Sequence, residues 1–266
     1  MDTPFIYNEY VTDKNFIGRG TERNILANLI KAGEHVSIYE PPKTGKMSLL
    51  MQVFTDLKNE RTQFVVAMVD MLNVRTLEDF LIKLKQALNA TVEDDIPRYA
   101  EMTVAAAAKL KKLMYMLAQS VPYKPNHTNL ARDLDISRNL LPDYIEYLEK
   151  SGLFNALREK STGDGILQKV EKLYLDNSNI IYALGLDKAD EGTIRETMFL
   201  TWMKQKHSVY SSKISDFEIG DITFEVGGRN KKGKQLRDAD KGYIVKDNIE
   251  YAVGKNVPIW MFGFIY

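Results

Sequence analysis

The sequence predicts a three-part α/β protein, with a βα module over residues 1–95, a winged helix over 96–176 and a further α/β domain over 177–266. Three observations predict it. A strand, a Gly- and Lys-bearing loop and an apolar helix follow one another from His35 to Leu57. Two short helical patterns over 128–150 are followed by β-like runs at 153–157 and 167–175, which is the order of a helix-turn-helix with a hairpin wing. From Arg195 onward, one helix is succeeded by several short strands.

Taken in order, Thr21 caps a helix whose Ile25, Leu26, Leu29 and Ile30 recur at helical spacing up to the stop at Gly33. His35–Tyr39 reads as a short strand, and the loop from Glu40 leads into Leu49, Leu50, Val53, Phe54 and Leu57 on a helix. A second strand over Gln63–Asp70 precedes a helix capped near Thr76 and carrying Leu77, Phe80, Leu81, Leu84 and Leu88. Helices follow over 104–120 and 128–134. Ser137 or Asn139 is expected to cap the next one, which turns Leu141, Tyr144, Ile145 and Leu148 to one face and closes at Gly152. The turn-rich Ser161-Thr162-Gly163-Asp164-Gly165 is the tip of the wing. Beyond it come a helix around 195–202, strands near Tyr210, Asp216 and Phe224, a short helix near Gln235 and a strand at Tyr243–Val245.

Composition excludes several classes of function. Thirty-six basic and 36 acidic residues leave a net charge of zero, so any nucleic-acid or membrane contact must come from a local patch. Without cysteine there is no disulfide, thiolate nucleophile or thiolate metal site. The N-terminus lacks the regions of a signal peptide, and no apolar run approaches the roughly 20 residues of a membrane span. A cytoplasmic protein with no membrane partner is expected. His35, His127 and His207 stand in unrelated contexts and give no metal or triad signature.

Residues 40–48, Glu-Pro-Pro-Lys-Thr-Gly-Lys-Met-Ser, occupy the frame G-x-x-x-x-G-K-[ST] between a strand and a helix. In that frame Thr44, Gly45, Lys46, Met47 and Ser48 are candidate ATP-binding residues: backbone N–H groups hold phosphate oxygens and Lys46 reaches the terminal phosphates. Two positions depart from it. Glu40 replaces the first glycine and brings negative charge, and Met47 replaces the hydroxyl that ligates Mg²⁺. Ser48 is no simple substitute, because one step along a helix turns a side chain by about 100°. An ordinary tight β-to-α turn carries the same local pattern. No hydrophobic strand ending in acidic residues follows at the distance a nucleotide hydrolase needs, and Asp70 lies too early for that role.

In the last domain, Glu196 lies on a helix, while Asp216 and Glu225 lie at the ends of neighbouring short strands. Three such carboxylates are candidate catalytic residues for phosphodiester cleavage, with Asp216 and Glu225 as Mg²⁺ ligands. The spacing resembles the D…E-x-K pattern of restriction-endonuclease-like nucleases, but Gly227 stands where the lysine belongs. If the Gly227-Gly228 turn folds back, Lys231 or Lys232 can fill that gap. Arg229, Lys231, Lys232, Lys234, Arg237 and Lys241 also form a basic run, readable as a phosphate-binding patch or as a solvated hairpin tip.

On these residues the chain resembles the prokaryotic AAA-type P-loop ATPases that carry a winged helix and a C-terminal restriction-endonuclease-like domain of unknown function. The resemblance is strongest from about Leu88 onward, in Leu130-Ala131-Arg132-Asp133-Leu134-Asp135-Ile136-Ser137, Tyr147-Leu148-Glu149-Lys150-Ser151-Gly152-Leu153, Phe224-Glu225-Val226-Gly227-Gly228 and Pro258-Ile259-Trp260-Met261-Phe262-Gly263. Phe16-Ile17-Gly18-Arg19 with Glu22, and Ile38 to Lys46, are similar to the front of the ATPase domain, where the Gly-Arg-x-x-Glu segment lies near the adenine site. The strands that carry the Walker B acids and a sensor residue have no counterpart here, so the P-loop module is shortened.

The resemblance implies an ATP-binding protein with weak or absent hydrolysis. The alternatives are a non-catalytic DNA-binding or protein-interaction module and a metal-dependent nuclease. DNA is the expected partner of the winged helix, with Arg158, Lys160 and Lys169 as its contacts, and a protein partner or second copy is the expected completion of the shortened sheet.

Overall fold

The computed structural model of the chain describes residues 9–60, 66–124, 126–160, 170–184, 190–239 and 241–264. It divides into two compact units, Met1–Phe64 and Val65–Tyr266. The expected borders at 95 and 176 therefore both fall inside the second unit.

In the first unit, α1 (Gly20–Lys31) and α2 (Lys46–Asn59) pack on each other. Leu49, Val53 and Leu57 are four residues apart, so they share one face of α2, and they bury themselves against Leu26 with Phe16, Ile30 and Ile38 at the margin. Each such side chain contributes about 1.5–3 kcal/mol when fully buried. Arg23 joins the helices by donating to Asp56 Oδ2 from Nε (2.9 Å) and Nη2 (2.5 Å).

The expected strand at His35–Tyr39 is not formed. A strand needs a hydrogen-bonded neighbour, and none of the described residues supplies one. Val36 and Tyr39 remain exposed while Ile38 alone packs inward. Of the second expected strand, Gln63–Val65 lies outside the described residues, and 66–70, which belong to the second unit, form no strand. The described part of this unit thus presents no open strand edge for a partner to complete.

The second unit begins with α3 (Leu77–Ala90), opened by a reciprocal cap. Thr76 Oγ1 accepts from Asp79 N (3.1 Å), and Asp79 Oδ2 accepts from Thr76 N (2.9 Å). A π-type turn at Thr91–Asp95 leads into the short α4 (Ile96–Tyr99) and then α5 (Val104–Ala118). Next come α6 (His127–Leu134), capped by Asn126, and α7 (Leu141–Lys150). The expected Ser137 or Asn139 cap is not used: Leu140 holds the N-cap of α7 without a side-chain bond. Pro142 in the first turn has no N–H to satisfy, which removes one of the donors a cap would serve.

Strand β1 (Phe154–Glu159) pairs antiparallel with β2 (Val170–Leu175), as the wing requires, although its tip at 161–169 lies outside the described residues. Then follow α8 (Ser178–Ala183), α9 (Glu191–Lys204), β3 (Tyr210–Ser211), β4 (Phe217–Ile219), β5 (Ile222–Gly227), β6 (Gly242–Lys246) and β7 (Asn256–Pro258), with 3₁₀ turns at Lys234–Asp238 and Ile259–Phe264. All seven strands form one mixed sheet in the order β2-β1-β3-β4-β5-β6-β7. Strand β1 also pairs parallel with β3 through Arg158 opposite Tyr210 and Glu159 opposite Ser211, so one sheet joins the strands on both sides of residue 176. The β3-β4-β5 portion is antiparallel, and β5-β6-β7 is parallel.

Two cores support this sheet. Leu110, Leu113, Leu117, Leu134, Leu141 and Leu148 belong to one that binds the helices to the start of β1. Phe199 centres the other, with ring centroids 5.3 Å from Phe217, 5.3 Å from Phe224 and 5.0 Å from Phe262. That aromatic cluster fixes α9 across β4 and β5, which is what carries Glu196 toward Asp216.

Candidate functional site

The first candidate site is the loop before α2. Lys43 and Gly45 both have positive φ, 65° and 84°. Gly45 stands at the N-cap of α2 with no side chain bonded to the helix end, leaving the first N–H groups of α2 without a cap. Lys46 folds back so that its Nζ donates to the carbonyls of Glu40 (2.7 Å) and Pro41 (2.8 Å).

Glu40 does not stand as a bare anion at the loop. Arg19 reaches it with Nη1 on Oε2 (3.2 Å) and Nη2 in close contact with Oε1, and Thr44 Oγ1 donates to Oε2 (2.7 Å). The Arg19 and Thr44 hydrogen bonds hold the Glu40 carboxyl below its ordinary range, and the same contact raises the Arg19 guanidinium. Arg19 itself has positive φ, 56°, immediately before α1, and this strained entry aims it at the loop. Met47 is exposed, and the Ser48 hydroxyl is buried and occupied in accepting from Val11 N (3.0 Å). Met47 brings no oxygen to the loop, and the Ser48 oxygen is turned to the Val11 N–H. Asp70 is a turn residue, its Oδ1 accepting from Leu72 N (2.9 Å).

The second candidate site lies in the sheet. Phe217 pairs with Phe224, so Asp216, just before β4, stands at the level of Glu225 on β5. Asp216 Oδ2 accepts from Val226 N at 2.8 Å. Glu196, from α9, accepts from Tyr174 Oη at 2.7 Å. Burial, and then the nearby charge of Asp216, push the Glu196 carboxyl up, and burial with the charge of Glu196 pushes the Tyr174 hydroxyl up. Glu225 is 2 % exposed; its Oε1 lies 3.3 Å from Lys231 Nζ, and its Oε2 has no hydrogen-bond partner among the described residues.

Each of these carboxylates has its own partner. Glu196 is bonded to Tyr174, Asp216 to a backbone N–H and Glu225 to an ammonium, and among the described residues no three acidic or histidine side chains are grouped to hold a metal. Asp216 also borders a polar cleft of about 430 Å³ whose lining includes Lys172, Lys213, Ser215 and Gln235. Tyr174 and Lys172, which enter from β2, could not be connected to this site from sequence, because the pairing of the wing with β3 that brings them close is not encoded in any local pattern.

The described basic residues expected to contact DNA are engaged within the protein. Arg158 donates to both carboxylate oxygens of Glu149, and Lys160 donates to Glu218 (2.9 Å) and to the Gly220 carbonyl (2.6 Å). Lys169 lies outside the described residues. On α7, Asp143, Glu146 and Tyr147 line a cleft with Glu101, and Lys150 is paired with Glu146 at 2.7 Å.

Residues 69–190 match a family described as a domain of unknown function (DUF8612). That stretch runs from just before α3 to the N-cap of α9, and contains neither the loop at 40–48 nor Glu196, Asp216 and Glu225. No curated protein and no solved structure matches the chain. No helix of the described residues is long and apolar enough to cross a membrane.

Proposed function

We propose that the loop from Glu40 to Ser48 binds the phosphates of a nucleotide such as ATP, and that the protein turns ATP over slowly or not at all, as the resemblance to AAA-type ATPases with a shortened P-loop module implies. The observation that carries this reading is the neutralisation of Glu40 by Arg19. It removes the repulsion that Glu40 would otherwise exert on a phosphate, and leaves Lys43 and Lys46 as the local excess of charge. The uncapped N-terminus of α2 adds oriented N–H donors and the positive end of a 14-residue helix. Slow turnover follows from Met47, which puts a thioether where the frame has a hydroxyl for Mg²⁺, while the Ser48 hydroxyl is turned to the Val11 N–H. Calorimetric titration of the full chain with ATP tests the reading: wild type binds, and Lys46→Ala loses binding by about tenfold or more. Equal affinity of the two proteins would overturn it.

A second reading, binding of nucleic acid, rests on the loop after β5 rather than on the wing. Arg229, Lys232 and Lys234 are exposed and take part in no ion pair among the described residues, whereas Arg158 and Lys160 are already paired. Fluorescence anisotropy with a labelled duplex at stepped salt distinguishes the surfaces. Replacing Arg229, Lys232 and Lys234 together by Ala is expected to flatten the salt dependence by about 0.9 per lost phosphate contact. Replacing Arg158 and Lys160 is expected to leave it unchanged.

A further inference from the structure

The Glu225 carboxylate is buried on a sheet face with one oxygen unpartnered among the described residues, and a nearby counter-charge stabilises a buried carboxylate. The chain supplies one through a gap in its own strand. Glu225 and Gly227 are two residues apart on β5 and therefore face the same side. A side chain at 227 would fill the space beside Glu225, but glycine leaves it open, and the aliphatic stem of Lys231 lies there instead. A Cβ placed on Gly227 would meet Lys231 Cδ at 2.7 Å and Cγ at 2.9 Å. The return is made by a tight turn in which Lys231 N donates to the Gly228 carbonyl (3.0 Å), and it ends with the amine 3.3 Å from Glu225 Oε1. Gly233, with φ of 60°, closes over the other side: a Cβ there would lie 3.6 Å from the unpartnered Oε2 and would collide with Ile244.

We propose that the Lys231 ammonium is the resident cation of the Glu196–Asp216–Glu225 cluster, lodged beside Glu225 where a divalent ion would otherwise draw the acids together, so that a metal site exists in this domain only when the lysine is removed. The geometry explains two departures from the D…E-x-K spacing at once. Gly227 is glycine because the stem of Lys231 needs its space, and the three acids are engaged one by one, with Tyr174, with the Val226 N–H and with Lys231.

The test is Mn²⁺ binding to the full chain, read by the loss of the free-ion electron paramagnetic resonance signal, together with thermal unfolding with and without Mn²⁺. Wild type is expected to show no site in the millimolar range. Lys231→Met is expected to gain one site, to melt below wild type and to recover on adding Mn²⁺. The double variant Lys231→Met with Glu225→Gln removes both charges and is expected to melt above the single variant and to bind no Mn²⁺. If the single variant folds only in the presence of Mn²⁺, the proposal is supported. Mn²⁺ binding by wild type as tight as by Lys231→Met, or a single variant that neither gains a site nor melts below the double variant, would overturn it.

Discussion

Arg158 and Glu149 form a two-point ion pair, Nη1 to Oε1 at 2.8 Å and Nη2 to Oε2 at 2.5 Å, that ties β1 to α7. The contact with Glu149 raises the Arg158 guanidinium. Both residues are half-buried, so the pair is stronger than an exposed one and weaker than a dry one. Replacing Arg158 by Ala is expected to lower the unfolding free energy by about 1 kcal/mol, measured by urea denaturation. DNA affinity should be the same before and after, since the guanidinium is already taken up by Glu149.

The Arg19–Glu40 contact makes a second prediction about the loop. Arg19→Ala frees a carboxylate beside the phosphate position and is expected to weaken ATP binding by about tenfold, which corresponds to about 1.4 kcal/mol. Adding Glu40→Gln removes the freed charge and should restore most of the loss. Titration calorimetry on the two variants checks both steps, and an Arg19→Ala protein that binds like wild type would show that Glu40 does not face the ligand.

Turnover is the third expectation. With a thioether at Met47 and the Ser48 hydroxyl turned to the Val11 N–H, purified protein should hydrolyse ATP well below about 1 s⁻¹, a rate ordinary enzymes reach. A phosphate-release assay at saturating ATP measures this directly.

Glu196 carries a pH dependence whose sign can be worked out. Burial and the charge of Asp216 raise its folded carboxyl above the ordinary 4.5. The native state then binds the proton more tightly than the unfolded chain, so this contribution to stability is complete below about pH 4.5 and is lost as pH rises through the folded value. Glu196→Gln cannot titrate and its amide oxygen still accepts from Tyr174. The variant should match wild type at about pH 4 and exceed it at about pH 8, in urea melts across that range.

Phe199 is fully buried at the meeting of three other rings. Phe199→Ala is expected to cost about 3–5 kcal/mol. Because the same residue holds α9 on the sheet, a circular-dichroism melt should show one lowered transition for the second unit as a whole rather than local loosening of α9.

Local patterns were enough to place most helices. Leu49, Val53 and Leu57 mark α2, Leu141, Ile145 and Leu148 mark α7, and Thr76 announces the start of α3, because amphipathic spacing and capping depend on residues a few positions apart. The hairpin of β1 and β2 was legible for the same reason. Pairing was not. His35–Tyr39 has the composition of a strand and forms none, since a strand exists only with a neighbour, and the described residues around it offer none.

The candidate sites divide along the same line. Sequence alone identified Lys46 in its Gly-Lys context, the carboxylates Glu196, Asp216 and Glu225, and the glycine standing where a lysine belongs. The tertiary structure decided what each of them faces: Arg19 turned onto Glu40, Tyr174 brought from β2 to Glu196, and Lys231 laid across Gly227 to reach Glu225. Those partners are 21, 22 and 6 residues apart in the chain. A residue's type and its near neighbours fix its local conformation, but the charge that a buried carboxylate meets is set by which distant backbone segments the fold packs beside it.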